Sequence, residues 1–277
     1  MLKCAIERDA VFWCISMAML FRFAHPVFAV LALGFALLQV QPADAGEANI
    51  AVATNFLLPA REIAVAFEAE GSHSITLVAG SSGKLAAQIL AGAPFDALLS
   101  ADQTRITQLV ERDAAVADTR FTYAVGRLVL WSPGPLPLRD GTLASLDVKA
   151  VQRLAIANPK LAPYGVAAEQ TLAALGVLDS LRGRLVFGEN VGQTFAMAAS
   201  GNVTAALVAA SQLATLKPGE AGHALPVPDD MHDPIRQDGV LTARGADNAA
   251  ARAFLEFLKG PAAGEVIVRY GYGKASE

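Results

Sequence analysis

Short apolar runs rich in β-branched residues alternate along most of this chain with segments whose apolar residues recur at helical spacing. Asn49 to Ala53 and Ile75 to Ala79 read as strands, and between them Ala60, Ile63, Ala64 and Phe67 fall on one face of a helix. Leu85, Ile89 and Leu90 repeat the helical spacing, and Phe95 to Ser100 supplies a third strand. Asp102 stands where it can cap the next helix, which runs toward Leu109. Such alternation predicts an α/β architecture with mostly parallel sheets covered by helices on both faces.

A long β-like segment from Phe121 to Trp131 ends in a Pro-Gly-Pro-Leu-Pro run at 133–137, and that break marks the crossing into a second lobe. The pattern then begins again. Arg153 to Ala157, Leu185 to Phe187 and Ala205 to Ala209 read as strands, Val166 to Leu175 as a helix, and Gly192 to Ala199 as a short helix closed by Gly201. A Pro- and Asp-rich stretch from Leu225 to Asp233 precedes Ile235 to Leu241, which returns the chain to the first lobe. The lobes are drawn as 46–124 with 234–277 (lobe I) and 125–233 (lobe II), joined by a hinge of two crossings. Asp247 is the expected cap of an amphipathic helix through Phe254, Leu255 and Leu258, and Gly260-Pro261 starts a last helix.

The first 45 residues stand outside this pattern. Val27 to Val40 is apolar except for Gly34 and Gln39, too short for the ~20 residues of a spanning helix. Arg22 precedes it, and Ala43-Asp44-Ala45 forms a small-residue cleavage site before Gly46. Residues 1–45 therefore read as a secretory signal peptide cleaved after Ala45. A start at Met17 or Met19 would remove Glu7 and Asp9 from a region normally basic. Both cysteines, Cys4 and Cys14, lie in this leader, so the chain from Gly46 has neither disulfides nor thiolate metal sites. Three basic and three acidic leader residues cancel, which leaves the net charge at −4 and argues against a nucleic-acid surface.

Four strand-to-helix junctions carry the candidate chemistry: Thr54-Asn55, Ser81-Ser82, Pro163-Tyr164-Gly165 and Asn190-Val191-Gly192. In open α/β sheets ligands sit beyond the carboxyl ends of the strands. Helix starts there present unpaired N–H groups and a partial positive charge. Two junctions belong to each lobe, so an anion between the lobes could collect neutral donors from both, the lobes closing on it. Taken singly, Thr54, Asn55 and Ser82 are ordinary helix caps, Tyr164 suits a turn with an outward ring, and Lys84 suits a solvated helix face.

Enzyme motifs are missing. His73, His223 and His232 lie in polar or Pro-rich stretches without H-x-x-x-H or H-E-x-x-H spacing and are expected to face solvent. Gly80 to Gly83 lacks the G-x-S-x-G spacing, and Leu85 stands where a P-loop needs Ser or Thr. Asp96 and Asp102 would repel an anion and suit caps better.

The segments Ala51-Val52-Ala53-Thr54-Asn55-Phe56, Gly80-Ser81-Ser82-Gly83-Lys84-Leu85, Gly92-Ala93-Pro94-Phe95-Asp96, Ser100-Ala101-Asp102, Phe257-Leu258-Lys259-Gly260-Pro261 and Arg269-Tyr270-Gly271 resemble those of the periplasmic molybdate-binding proteins of ABC importers. The similarity covers essentially the whole chain after the leader, and G-A-P-F-D followed by S-A-D is its most specific part. The resemblance implies a two-lobed periplasmic-binding-protein fold of type II and an oxyanion held by hydrogen bonds from both lobes, with no cationic side chain. Carried over by residue, it implies Thr54, Asn55, Ser82, Tyr164 and Val191 as ligands. Ala209 stands where one branch has a tyrosine, which leaves Tyr164 as the expected nearby phenol. The resemblance further implies a monomeric, non-enzymatic periplasmic receptor without cofactor or metal ligands, binding molybdate and tungstate and serving a permease and its ATPase. Sulfate or another small oxyanion on the same fold is the alternative, and a secreted hydrolase using Ser81 or Ser82 a remoter one.

Overall fold

The apolar run Ile50-Ala51-Val52-Ala53 is buried on both faces, as a strand inside a helix-covered sheet must be. A computed structural model describes residues 46–274 apart from Thr215 and Pro218, so the expected signal peptide lies outside the described residues. In chain order, β1 (Glu47–Ala53), α1 (Leu57–Glu70), β2 (Ser74–Gly80), α2 (Ser82–Leu90), β3 (Ala97–Leu99), α3 (Thr104–Val110) and β4 (Phe121–Gly126) build most of the first lobe. The second contains β5 (Leu128–Ser132), β6 (Leu154–Ala157), α4 (Pro163–Ala174), α5 (Leu178–Leu181), β7 (Leu185–Gly188), α6 (Val191–Ala199), β8 (Ala205–Ala209), α7 (Ala210–Leu213) and β9 (His223–Pro226). The chain then returns through β10 (Ile235–Leu241), α8 (Ala249–Leu258) and α9 (Pro261–Arg269).

Two five-stranded sheets result, in the orders β2-β1-β3-β10-β4 and β7-β6-β8-β5-β9. Each has three parallel strands, and the strands carried by the crossings add antiparallel pairs. The sheets are therefore mixed: β10 and β5, the strands that enter each lobe from the other, run antiparallel to both of their neighbours. Phe56, Ile63, Phe67 and Phe254 pack on one face of the first sheet, and Leu85, Ile106 and Leu109 on the other. Trp131, Ile156 and Leu172 anchor the core of the second lobe. Among the described residues no helix is long and apolar enough to cross a membrane.

The first crossing falls at Arg127, between β4 and β5, and not at the Pro133–Pro137 run, which lies beyond β5. One extended segment switches sheets there without a turn, so no turn residue marks it. The second crossing runs through residues 227–234. Several local expectations shift. Helix α4 starts at Pro163, with proline in the first turn where its missing N–H costs nothing. Asn248, not Asp247, caps α8, its side chain accepting the Ala251 N–H at 3.0 Å. Leu90, expected on the buried face of α2, is 38% exposed. Edge strand β9 has no counterpart among the expected elements.

Candidate functional site

Each marked junction begins a helical segment at the carboxyl end of a strand. β1 runs into a 3-10 turn at Thr54–Phe56, β2 into α2, β6 through a short loop into α4, and β7 into α6. The start of α4 is set by Gly165, where a Cβ would lie 2.2 Å from the Ala157 carbonyl oxygen at the end of β6. Only glycine lets this helix start sit so close to the sheet.

The four junctions meet in one small pocket with about 190 Å³ of space not occupied by atoms. Thr54, Asn55, Ser82, Tyr164 and Val191 all line it, as do Ser81 and Asn190. The N–H groups of Asn55, Ser82, Tyr164 and Val191 fall where a helix start supplies no backbone acceptor, and no other group in the described residues accepts them. Neighbouring donors are already engaged within the protein. Gly83 N–H goes to Leu161 O, Gly165 N–H to Ala162 O, and Gln193 N–H to the Asn190 side chain that caps α6.

The side chains divide differently from the N–H groups. The Thr54 hydroxyl is half-buried and makes no intramolecular hydrogen bond. Asn55 turns its side-chain amide into the protein, donating to Gln237 Oε1 at 2.8 Å and Tyr272 Oη at 3.0 Å. Its backbone N–H is what remains for a ligand. Ser82 Oγ accepts the Ala101 N–H at 2.9 Å. Ser81, the N-cap of α2, does not cap it, and its buried hydroxyl is without any hydrogen-bond partner. A buried unpaired hydroxyl costs free energy unless something else satisfies it.

Tyr164 is buried, contrary to a turn residue with an outward ring, and its Oη accepts from Gln237 Nε2 at 3.4 Å. Burial pushes its phenol well above the usual tyrosine range, with Tyr272 adding to the rise. Val191 opens α6, and its carbonyl accepts from Gln212 Nε2 at 3.2 Å. Gln212 Oε1 also accepts the Ala209 N–H at 3.1 Å, so the end of β8 is tied to the start of α6. Tyr164 is not the only phenol nearby. Tyr272 Oη donates to the Asn55 carbonyl at 2.7 Å, and Ser211 Oγ, from the second lobe, donates to the same oxygen at 2.9 Å.

No Lys, Arg, His, Asp or Glu lines the pocket. The nearby cations are engaged at its rim and bridge the lobes: Lys84 pairs with Glu189, and Arg105 Nη2 donates to the Lys160 carbonyl at 3.3 Å. With the Gly83 to Leu161 hydrogen bond at 2.9 Å, these contacts hold the lobes closed. Asp102 accepts the Arg105 N–H at 2.9 Å, the capping role expected of it; burial raises its carboxyl pKa, against the opposing pull of Arg105 and Ser100. Asp96 accepts the Asn49 N–H at 2.8 Å. Of the histidines, His73 is partly covered, accepting the Gly46 N–H at 3.2 Å and stacking on Phe67 at 5.9 Å between ring centroids. The arrangement can hold a small oxyanion by neutral donors and contains no nucleophile with a base.

Gln237, Tyr272 and Ser211 are absent from the candidate residues, and Ser81, though part of a marked junction, is absent from the implied ligands. For Ser81 the signal was present, since it adjoins Ser82 at the same helix start.

Residues 48–273 match the family model for bacterial extracellular solute-binding proteins. The molybdate-binding protein ModA of Rhodobacter capsulatus is 45% identical over 243 residues, 87% of this chain and 92% of that one. ModA of Azotobacter vinelandii is also 45% identical, over 246 residues, 88% and 96% of the two chains. The solved periplasmic molybdate-binding protein of Azotobacter vinelandii superposes with a TM-score of 0.75 and 36% identity, covering 82% of this chain and 98% of its own.

Proposed function

Since the chain belongs to the family of bacterial extracellular solute-binding proteins that includes the molybdate-binding proteins, we propose that it is an extracytoplasmic receptor that captures molybdate between its lobes and delivers it to an ABC importer. It binds and does not catalyse. Tungstate, of the same charge and shape class, is a second ligand. The donors are the N–H groups of Asn55, Ser82, Tyr164 and Val191 with the hydroxyls of Thr54, Ser81 and Ser82. Aligned amides in a dry cleft replace the hydration of an oxyanion without a counter-ion.

The observation that carries this reading is the Ser81 hydroxyl, buried in the pocket and unpaired. An anion there satisfies it. Discrimination against the smaller sulfate is assigned to the spacing of the donors, and against protonated phosphate to the lack of a carboxylate to accept its proton. The finer parts of the reading are a signal peptide cleaved after Ala45, a periplasmic location, a monomeric receptor, and a permease with its ATPase as partners.

Thermal melting with molybdate, tungstate, sulfate and phosphate tests the ligand. Ligand at ~1,000 times its Kd adds about 4 kcal/mol of stability. Molybdate and tungstate are expected to raise Tm, and sulfate and phosphate to leave it unchanged. A shift with sulfate alone would assign the pocket to sulfate, and no shift with any would refute an oxyanion receptor.

A further inference from the structure

We infer that Gln237 is a positioning residue that couples the two halves of the site, and that Gly126 is the socket into which Tyr164 seats when the lobes close. The inference rests on the oxyanion reading above. Gln237, on β10 of the first lobe, is fully buried. Its Oε1 accepts from Asn55 Nδ2 at 2.8 Å and lies 3.0 Å from Tyr123 Oη, while its Nε2 donates to Tyr164 Oη at 3.4 Å. One side chain thus grips a residue from each lobe, and each of those residues contributes a free N–H to the pocket.

The local backbone makes this grip possible. Pairing of β10 with β4 is regular through Gln237 and Ala124, then skips Tyr123 so that Asp238 faces Thr122. The bulge leaves Tyr123 unpaired in the ladder, and its phenol bonds Gln237 and the Ser100 carbonyl, the latter at 3.0 Å. Bulges re-aim side chains in this way beside functional sites. At the end of β4, immediately before the crossing at Arg127, Gly126 leaves room for the tip of Tyr164. A Cβ there would lie 2.3 Å from Tyr164 Oη and 2.7 Å from Gln237 Nε2. The phenol belongs to the second lobe and the space to the first, so a side chain at 126 opposes closure, and it also presses on Gln237 within the first lobe.

The geometry assigns separate effects to three variants. Tyr164→Phe keeps the ring and removes the oxygen that Gln237 holds. Gln237→Met keeps the volume and releases both Asn55 and Tyr164. Gly126→Ala keeps every polar group and blocks the socket. Each is expected to raise the molybdate Kd about tenfold or more, the equivalent of one lost buried hydrogen bond. Tyr164→Phe combined with Gln237→Met is expected to cost less than the two separately, because both break one contact.

The test measures molybdate Kd, apo Tm and the ligand-induced contraction seen by small-angle X-ray scattering for the protein and the three variants. The inference predicts that all three variants lose affinity and contraction together at a temperature where each is fully folded, whatever their apo Tm. A merely structural role would lower apo Tm and leave the Kd of the folded fraction unchanged. If the unsubstituted protein binds molybdate and the variants bind it equally well, the coupling role is overturned and the receptor reading stands. If the unsubstituted protein binds no oxyanion, both fall.

Discussion

Ser82 Oγ accepts the Ala101 N–H at 2.9 Å, whereas the hydroxyl of its neighbour Ser81, also buried, has no partner. Two adjacent serines at one helix start therefore differ in the protein: the Ser81 hydroxyl is wholly unpaired, whereas that of Ser82 accepts a backbone N–H and keeps its O–H proton to donate to a ligand. Ser81→Ala removes a ligand donor and should weaken molybdate binding by about 1–3 kcal/mol, while the apo protein is no less stable for losing an unsatisfied group. Ser82→Ala leaves the Ala101 N–H buried without its acceptor and should lower apo stability by about 1–3 kcal/mol. Calorimetry and melting on both variants check this, and an exchange of the two effects would reverse the assignment.

Three of the four tyrosines in the chain, Tyr123, Tyr164 and Tyr272, are buried, and burial raises the pKa of each phenol. The folded state keeps them neutral where the unfolded chain would ionise near pH ~10. Their contribution to stability is complete below that pH and is lost as pH rises toward the folded values. An absorbance titration should show one phenolate, that of Tyr270, before cooperative unfolding releases the rest. Gradual ionisation of all four in the folded protein would contradict the buried network.

Gly165→Ala would place a Cβ 2.2 Å from Ala157 O and force the first turn of α4 off the end of β6. Overpacking of this kind costs about 1–3 kcal/mol. Because the Tyr164 N–H moves with the turn, affinity should fall as well. Denaturant unfolding and calorimetry read the two losses, and wild-type values for both would show that the helix start has more freedom than the contact implies.

Lys84 and Glu189 pair across the lobes with about half of each side chain exposed. Exposed pairs contribute about 0.2–1 kcal/mol. Lys84→Ala should therefore weaken molybdate binding only slightly, and the difference should vanish near 1 M salt, where charges are screened beyond ~3 Å. A large loss that persists in high salt would mean that Lys84 reaches the anion.

Much of this arrangement is legible in the sequence because it is local. Strand runs such as Ile50 to Ala53, and the helix starts at Ser82 and Val191, depend on neighbours within a few residues. The crossing at Arg127 carries no local mark, because β4 and β5 form one nearly unbroken extended run, whereas the conspicuous prolines at 133–137 lie beyond β5. The direction of the Asn55 amide is not local, since its partners Gln237 and Tyr272 are 182 and 217 residues away. Ser81 and Ser82 look alike in sequence, and only the Ala101 N–H, delivered by the end of β3, separates their roles.

Isothermal titration of the purified protein with sodium molybdate tests the central claim most directly. A cation-free pocket closed by both lobes predicts a single site with a Kd of about 1 μM or tighter, equivalent to at least ~8 kcal/mol, weakened about 5- to 150-fold in Ser81→Ala. No heat at micromolar concentrations, or binding in which Ser81→Ala equals the unsubstituted protein, would contradict it.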